Sequence, residues 1–216
     1  MKKIGVMLSG CGVFDGAEIH EATITLLSID QLGAQAICMA PDIEFDVVNH
    51  LTQKETNERR NVLVESARIA RGNIQNVKDV NIDDIDALIF PGGFGAAKNL
   101  SDFAIKGAEA TVNPEIQSLL HEMCLAKKPI GAICIAPATI AKALTKQQVT
   151  VTIGNDNKTA RTIEKTGATH SKCSVENICI DEKNNIITTP AYMLGPGIKE
   201  VAKGIYKLVQ EVVKRA

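Results

Sequence analysis

The chain has 216 residues, of which 45% are hydrophobic and 23% charged, and its formal net charge is −1. This length and composition fit one globular domain over residues 1–216. Because no basic block is present, neither nucleic acid nor an acidic membrane is an expected partner. The N-terminal apolar run is too short to be read as a signal peptide or a membrane span.

The six cysteines have no CxxC spacing; they lie at positions 11, 38, 124, 134, 173 and 179. No zinc or thioredoxin-like site is therefore expected, and no other metal site is predicted. Without an export signal, the cysteines are interpreted as reduced thiols, which predicts a cytoplasmic location.

The first part of the chain has the spacing of a strand–helix–strand unit. Alternating apolar residues predict a strand over 3–8, and a second strand follows over 35–39. Between them we predict a helix over 18–32, begun by Asp15 or Gly16. Its expected buried stripe consists of Ile19, Ala22, Leu26 and Ile29. This spacing implies that the two strands pair in parallel.

The next part of the chain gives weaker signals. Residues 42–55 are predicted to be irregular, and 57–71 are predicted to form a helix. The outer face of that helix would be basic, with Arg59, Arg60, Arg68 and Arg71. A solvated surface is the ordinary explanation of such a face, and anion binding is the alternative. A short edge strand is predicted over 74–77.

The remaining chain alternates strands and helices. Strands are predicted over 87–90, 130–133 and 149–153, and helices over 114–126, 159–166 and 197–214. A hairpin is predicted from 178–181 and 186–189. The sequence therefore predicts an α/β fold with a mostly parallel sheet and helices on both faces. Active groups of such folds lie at the carboxyl ends of the strands.

Cys134 stands between an apolar strand and an alanine-rich helix that opens at Pro137. This is the position of a nucleophile elbow, with Cys in place of Ser. Because a helix N-terminus favours negative charge, we expect the sulfur to face solvent as a thiolate. The alternative is a structural core residue, since free Cys is among the most buried residue types.

A nucleophilic thiol needs a proton acceptor and donors for an oxyanion. Two other predicted strand ends could supply them, the loop over 9–21 and the turn at Gly92 and Gly93. Glu21 lies one helical turn in, where burial would raise its pKa and let it share the proton of Cys134. The alternative is a solvated acid favoured by the helix dipole. None of the histidines, at 20, 50, 121 and 170, is singled out as a general base.

Several short segments, taken in order, resemble the ThiJ/PfpI superfamily of class I glutamine-amidotransferase-like proteins. They are GAEIHE at 16–21, PGG at 91–93, AICIAP at 132–137 and TTP at 188–190. The strings RNVL at 60–63 and FGAAKNLS at 94–101 are similar to its ElbB branch, the bacterial "enhancing lycopene biosynthesis" proteins. The similarity runs essentially end to end.

The resemblance implies a flavodoxin-like three-layer sandwich, usually a homodimer, with a reactive cysteine at Cys134 that meets Glu21. It also implies that the backbone N–H groups of Gly93 and Ile135 stabilise an oxyanion. For the branch it implies a glyoxalase of the lyase (hydro-lyase) type that needs neither glutathione nor metal nor another cofactor. The expected substrate is a small aldehyde, glyoxal, converted to glycolate, and the expected context is isoprenoid metabolism.

The chain also departs from other members of that superfamily. The segment 189–192 contains no His for an amidotransferase triad, and Ile135 stands where protease-like members have a His. Ala136 replaces the second glycine of the elbow. These departures argue against amidotransfer and peptidolysis and leave a cysteine–glutamate pair. A redox sensor based on Cys134, or a small-molecule binding protein, remains the alternative to an enzyme.

Overall fold

The computed structural model describes residues 1–216 and is built around one large sheet. The strands are β1 (Lys3–Met7), β2 (Gln35–Ala40), β3 (Glu44–Asn49), β4 (Lys54–Asn61), β5 (Ile74–Asn76), β6 (Ala87–Phe90), β7 (Ile130–Ile133), β8 (Thr150–Val151), β9 (Thr169–His170), β10 (Cys179–Asp181) and β11 (Ile186–Thr189). The helices are α1 (Ile19–Gln31), α2 (Val62–Ile69), α3 (Phe94–Lys98), α4 (Phe103–Lys106), α5 (Pro114–Leu125), α6 (Ala136–Ala143), α7 (Asn157–Glu164) and α8 (Ile198–Arg215).

Seven strands form the central sheet, in the order β10-β11-β7-β6-β1-β2-β5. All neighbours pair in parallel except β10, which is antiparallel to β11. Two apolar cores lie on opposite faces of this sheet. One is covered by α1, α2 and α8, and the other by α3 to α6. The predicted flavodoxin-like sandwich, with a mostly parallel sheet and helices on both faces, is confirmed.

The strongest sequence patterns match the observed elements closely. Strands β1, β2, β6 and β7 and helices α5 and α8 lie within two residues of their predicted bounds. The apolar runs of β6 and β7 are buried along their whole length, as expected of central strands covered on both faces. Helix α5 begins at Pro114, whose missing N–H is no loss there, and Asn113 accepts the N–H of Glu115 at 2.9 Å.

The start of α1 differs from the prediction. Neither Asp15 nor Gly16 caps the helix; Glu18 does, because its carboxylate accepts the N–H of Glu21 at 2.7 Å. Asp15 is occupied elsewhere, since it accepts the N–H of Val48 at 2.8 Å. Ile19 is also not part of the buried stripe, since it is 46% exposed at the first turn.

Residues 42–55, predicted to be irregular, and the first part of the predicted helix over 57–71 form the hairpin β3–β4 instead. Strand β4 is polar throughout, so it has no alternation that a sequence pattern could reveal. It is held by its partner: Arg59 lies 3.1 Å from Glu44 and 3.4 Å from Asp46 across the hairpin. The basic face of the predicted helix therefore does not exist, and its first two arginines belong to a strand.

Two later elements also differ. The predicted strand over 149–153 is reduced to β8, which pairs with β9 in a separate two-stranded sheet. Helix α7 begins at Asn157, two residues before its predicted start, because Asp156 caps it by accepting the N–H of Thr159 at 2.8 Å. No helix is long and apolar enough to cross a membrane.

Candidate active site

The carboxyl ends of β1, β6 and β7 lie side by side at the centre of the sheet. From β1 the chain moves outward to β2 and β5, then returns to β6 on the other side of β1. The strand order therefore reverses between β1 and β6, and ligand crevices of open α/β sheets form at such a point. The segments after these three strands bring Glu21, Gly93 and Cys134 into one place.

Cys134 occupies the sharp turn between β7 and α6. Its φ angle is +62°, in the left-handed region that non-glycine residues adopt only at a cost of about 1–3 kcal/mol. Its N–H donates to the carbonyl of Thr189 at 3.0 Å, which continues the pairing of β7 with β11. Helix α6 begins two residues later, at Ala136. This is the backbone geometry of a nucleophile elbow.

Glu21 projects from the first turn of α1 and is completely buried. Its Oε2 accepts the N–H of Gly92 at 2.9 Å and its Oε1 accepts the N–H of Tyr192 at 3.2 Å. The Cys134 side chain lies beside the same carboxyl, since a Cβ at Gly92 would overlap both. Burial raises the pKa of Glu21 from 4.5 to about 8; the charge of Glu18 adds to this effect, and the contacts with Tyr192, Cys134 and Gly92 oppose it. Glu21 is therefore not the solvated acid of the alternative interpretation.

Cys134 is buried, with only 7% of the residue exposed. Burial raises its pKa well above 9.0, the Glu21 charge raises it further, and the N–H groups of Gly93 and Ile135 oppose both effects. The prediction of a solvent-facing thiolate is therefore wrong. Desolvation and the neighbouring carboxylate outweigh the helix dipole, so the resting thiol is neutral.

Two consecutive glycines let the turn after β6 approach this pair. A side chain at Gly92 would overlap both Cβ of Cys134 and Oε2 of Glu21, and Gly93 has a φ angle of +95°. The N–H groups of Gly93 and Ile135 donate to no backbone carbonyl. They are available to the sulfur, or to an oxygen that develops negative charge beside it.

The comparisons with known proteins agree with this arrangement. The sequence pattern of the DJ-1/PfpI family matches residues 13–193, which include Glu21, Gly93, Cys134 and Ile135. The chain belongs to the DJ-1/PfpI family. The predicted ThiJ/PfpI membership is thereby confirmed.

Relatives of this DJ-1/PfpI protein match over nearly its whole length. The mitochondrial ES1 protein homolog of Rattus norvegicus is 42% identical, covering 98% of this chain and 83% of the relative. The mitochondrial glutamine amidotransferase-like class 1 domain-containing protein 3 of Homo sapiens is also 42% identical, covering 98% of this chain and 82% of the relative.

A solved structure is similar over the full chain. The isoprenoid biosynthesis protein with amidotransferase-like domain from Ehrlichia chaffeensis has a TM-score of 0.94 and 36% identity, covering 100% of this chain and 99% of that protein. This likeness agrees with the predicted ElbB branch. The prediction of a cytoplasmic location is contradicted, because the curated relatives above are mitochondrial proteins.

Two side chains near Glu21, Tyr192 and His20, contact each other in a way that the sequence does not indicate. The Tyr192 hydroxyl lies 2.8 Å from Nδ1 of His20, and that nitrogen lies 4.0 Å from the carboxylate of Glu18. His20, which is 54% exposed in its side chain, therefore links Glu18 and Tyr192, whose backbone N–H donates to Glu21. His20 directly precedes Glu21 in the sequence, but its hydrogen-bond partner Tyr192 is 172 positions away, so no local pattern records the contact.

Proposed function

We propose that this DJ-1/PfpI protein is a cofactor-independent glyoxalase that converts glyoxal and water to glycolate. The observation that carries the proposal is that the buried carboxyl of Glu21 lies against Cys134: a Cβ at Gly92 would overlap both side chains, and the two groups shift each other's pKa. Two unpaired N–H groups, from Gly93 and Ile135, face the same sulfur. We refer to Cys134 and Glu21 as the dyad.

The reaction begins with addition of the Cys134 sulfur to one aldehyde carbon of glyoxal. Glu21 accepts the thiol proton, and the carbonyl oxygen is protonated to give a hemithioacetal. Glu21 then removes the proton from the carbon bound to sulfur, and the resulting enediol is protonated at the second carbon. The product is a thioester of glycolate, which water hydrolyses to glycolate and the free thiol.

The protonation state of the dyad suits this sequence of steps. Because Glu21 takes the proton as the carbon–sulfur bond forms, no thiolate has to exist beforehand. A carboxyl with a pKa of about 8 can both accept and return a proton near neutral pH. The Gly93 and Ile135 N–H groups stabilise the oxyanions, each such donor contributing on the order of 3 kcal/mol.

The redox-sensor alternative is less well supported by the same site. Oxidation follows thiolate character and exposure, whereas Cys134 is 7% exposed and its pKa is raised. Mass spectrometry after mild peroxide treatment separates the two functions. Selective oxidation of Cys134 with negligible glyoxal turnover would favour the sensor.

The proposal is tested with purified protein by following glyoxal consumption and glycolate formation. Cys134→Ser is expected to lose about 1,000-fold or more in kcat/KM, because the nucleophile is removed. Cys173→Ser, which replaces a half-buried thiol that is not part of the dyad, is the matched control and should retain full activity. Unchanged turnover in Cys134→Ser would refute the mechanism.

The pH profile gives a second criterion for the same proposal. Only the ionised form of Glu21 accepts the thiol proton, so kcat/KM should fall about tenfold per pH unit below about 8 and level off above it. A profile that is flat from about pH 6 to pH 8 would contradict the role of Glu21.

Two broader expectations belong to the proposal. A homodimer is expected from the ThiJ/PfpI resemblance, and sedimentation of the purified protein measures it. A role in isoprenoid metabolism is supported by the name of the similar Ehrlichia chaffeensis protein. Changed levels of isoprenoid intermediates after deletion of the gene would support that role.

A further inference from the structure

An open groove of about 450 Å³ is lined in part by residues that adjoin the site in the chain. Phe94 and Ile135 form part of its wall, and they directly follow the oxyanion residue Gly93 and the nucleophile Cys134. The groove therefore begins at Ile135, whose N–H faces the sulfur, while Cys134 and Glu21 lie outside its lining. It extends between α3, α4 and α7, which together with Gly107 supply the remaining lining residues.

The groove is much larger than glyoxal. A molecule with four heavy atoms fills on the order of 80 Å³, which is the space of two or three waters. Six of the ten lining residues are hydrophobic, among them Phe103 and Ile105 of α4. Ile105 is 78% exposed, so a large apolar side chain faces solvent beside the site. An apolar groove with few polar groups is the usual form of a small-molecule site.

The lining of the groove carries one positive charge. Lys158 is the single charged residue in its lining and makes no ion pair. Asp156, at the start of the same helix, accepts the N–H of Thr159 at 2.8 Å, and the charge of Lys158 helps to hold the pKa of its carboxyl below the usual range without a direct ion pair. At the groove edge, Nζ of Lys98 lies 5.8 Å from the centre of the Phe94 ring. The groove is thus complementary to an apolar chain that ends in an anionic group.

We infer that the substrate of this site is a 2-oxoaldehyde whose chain of several carbons lies in the groove and ends in an acidic group near Lys158. The inference rests on the proposed function and names its substrate class. The steps are those of glyoxal: the sulfur adds to the terminal aldehyde, a proton moves from that carbon to the neighbouring carbon, and water releases a 2-hydroxy acid. Aldehyde and water together account for every atom of the product, so no oxidant or reductant is needed.

Three substrates distinguish the effect of chain length from the effect of charge on kcat/KM. They are glyoxal, the neutral six-carbon 2-oxohexanal, and 5,6-dioxohexanoate, which has the same length and a terminal carboxylate. An ω-phosphonate analogue distinguishes a phosphate from a carboxylate as the acidic group. A fully buried methylene gives about a fourfold gain, and the groove is open, so we expect 2-oxohexanal to exceed glyoxal about tenfold in kcat/KM. The acidic substrate should gain a further factor of about 2 to 5, the size of an exposed ion pair.

Two variants test the groove itself. Ala104 lines the groove and is exposed, so Ala104→Trp fills space without disturbing the core. It should reduce turnover of both long substrates about tenfold and leave glyoxal turnover within about twofold. Lys158→Gln should remove only the preference for the acidic substrate. The matched controls are Ala126→Trp and Lys165→Gln, at exposed positions outside the groove, which should behave as the unchanged protein.

The outcomes distinguish this inference from the proposed function. Efficient glyoxal turnover with no gain for the long substrates would overturn the inference and leave the glyoxalase proposal intact. Absence of turnover with all substrates would refute both. A change of oligomeric state in Ala104→Trp, measured by sedimentation, would assign the groove to contact with a second copy of the chain and would also overturn the inference.

Discussion

Replacing Glu21 with Gln should change how the stability of this protein depends on pH. The pKa of Glu21 is about 8 in the folded chain, against 4.5 for an exposed carboxyl. Below about pH 4.5 the group is protonated in both the folded and the unfolded state, so the stabilising effect of the raised pKa is fully present. Between about 4.5 and 8 only the unfolded state releases the proton, and stability falls with pH. At about 1.4 kcal/mol per pKa unit, the loss reaches on the order of 5 kcal/mol.

The assay is urea unfolding followed by circular dichroism at several pH values from about 5 to 8.5. Gln has one acceptor oxygen for the two N–H groups that donate to Glu21. Glu21→Gln therefore also lowers the unfolding free energy by about 1–3 kcal/mol at every pH. The slope of the unfolding free energy against pH is therefore the quantity to compare between the two proteins. The unfolding free energy of the natural protein should fall more steeply with pH than that of the variant. Parallel curves would mean that Glu21 is already ionised at pH 5 in the folded chain.

The remaining predictions concern the neighbours of the dyad. Gly92→Ala places a methyl group against both members of the dyad. We expect a loss of about 1–3 kcal/mol in unfolding free energy and the loss of glyoxal turnover. Full activity in a folded variant would contradict this geometry. Tyr192→Phe removes the hydrogen bond to His20 and keeps the N–H donated to Glu21. Its kcat/KM should change less than about tenfold while the pH profile is unaltered, and a displaced profile would assign the Tyr192 hydroxyl to the proton-transfer path.

The amino-acid sequence by itself determined the elements that have a strong local cause. Continuous apolar runs define β6 and β7, and the apolar spacing of α8 identifies the face that is buried. The elbow at Cys134 follows from an apolar strand that meets an alanine-rich helix within three residues. The glycines at 92 and 93 indicate a close approach of the backbone, which the structure places against the dyad. In each case the signal and the structure lie within the same short segment.

Only the tertiary structure decided what depends on distant partners. The Gly92 N–H that binds Glu21 is 71 positions away, and the Tyr192 N–H is 171 positions away, so no local pattern records either contact. Strand β4 is polar on both faces and exists because β3 pairs with it. The protonation state of Cys134 is also the opposite of the expected one. Burial by several elements and the charge of Glu21 raise the pKa of the thiol by more than the local helix dipole lowers it. Desolvation is a property of the assembled fold. For that reason the sequence predicts the position of the Cys134 thiol but not whether that thiol is ionised.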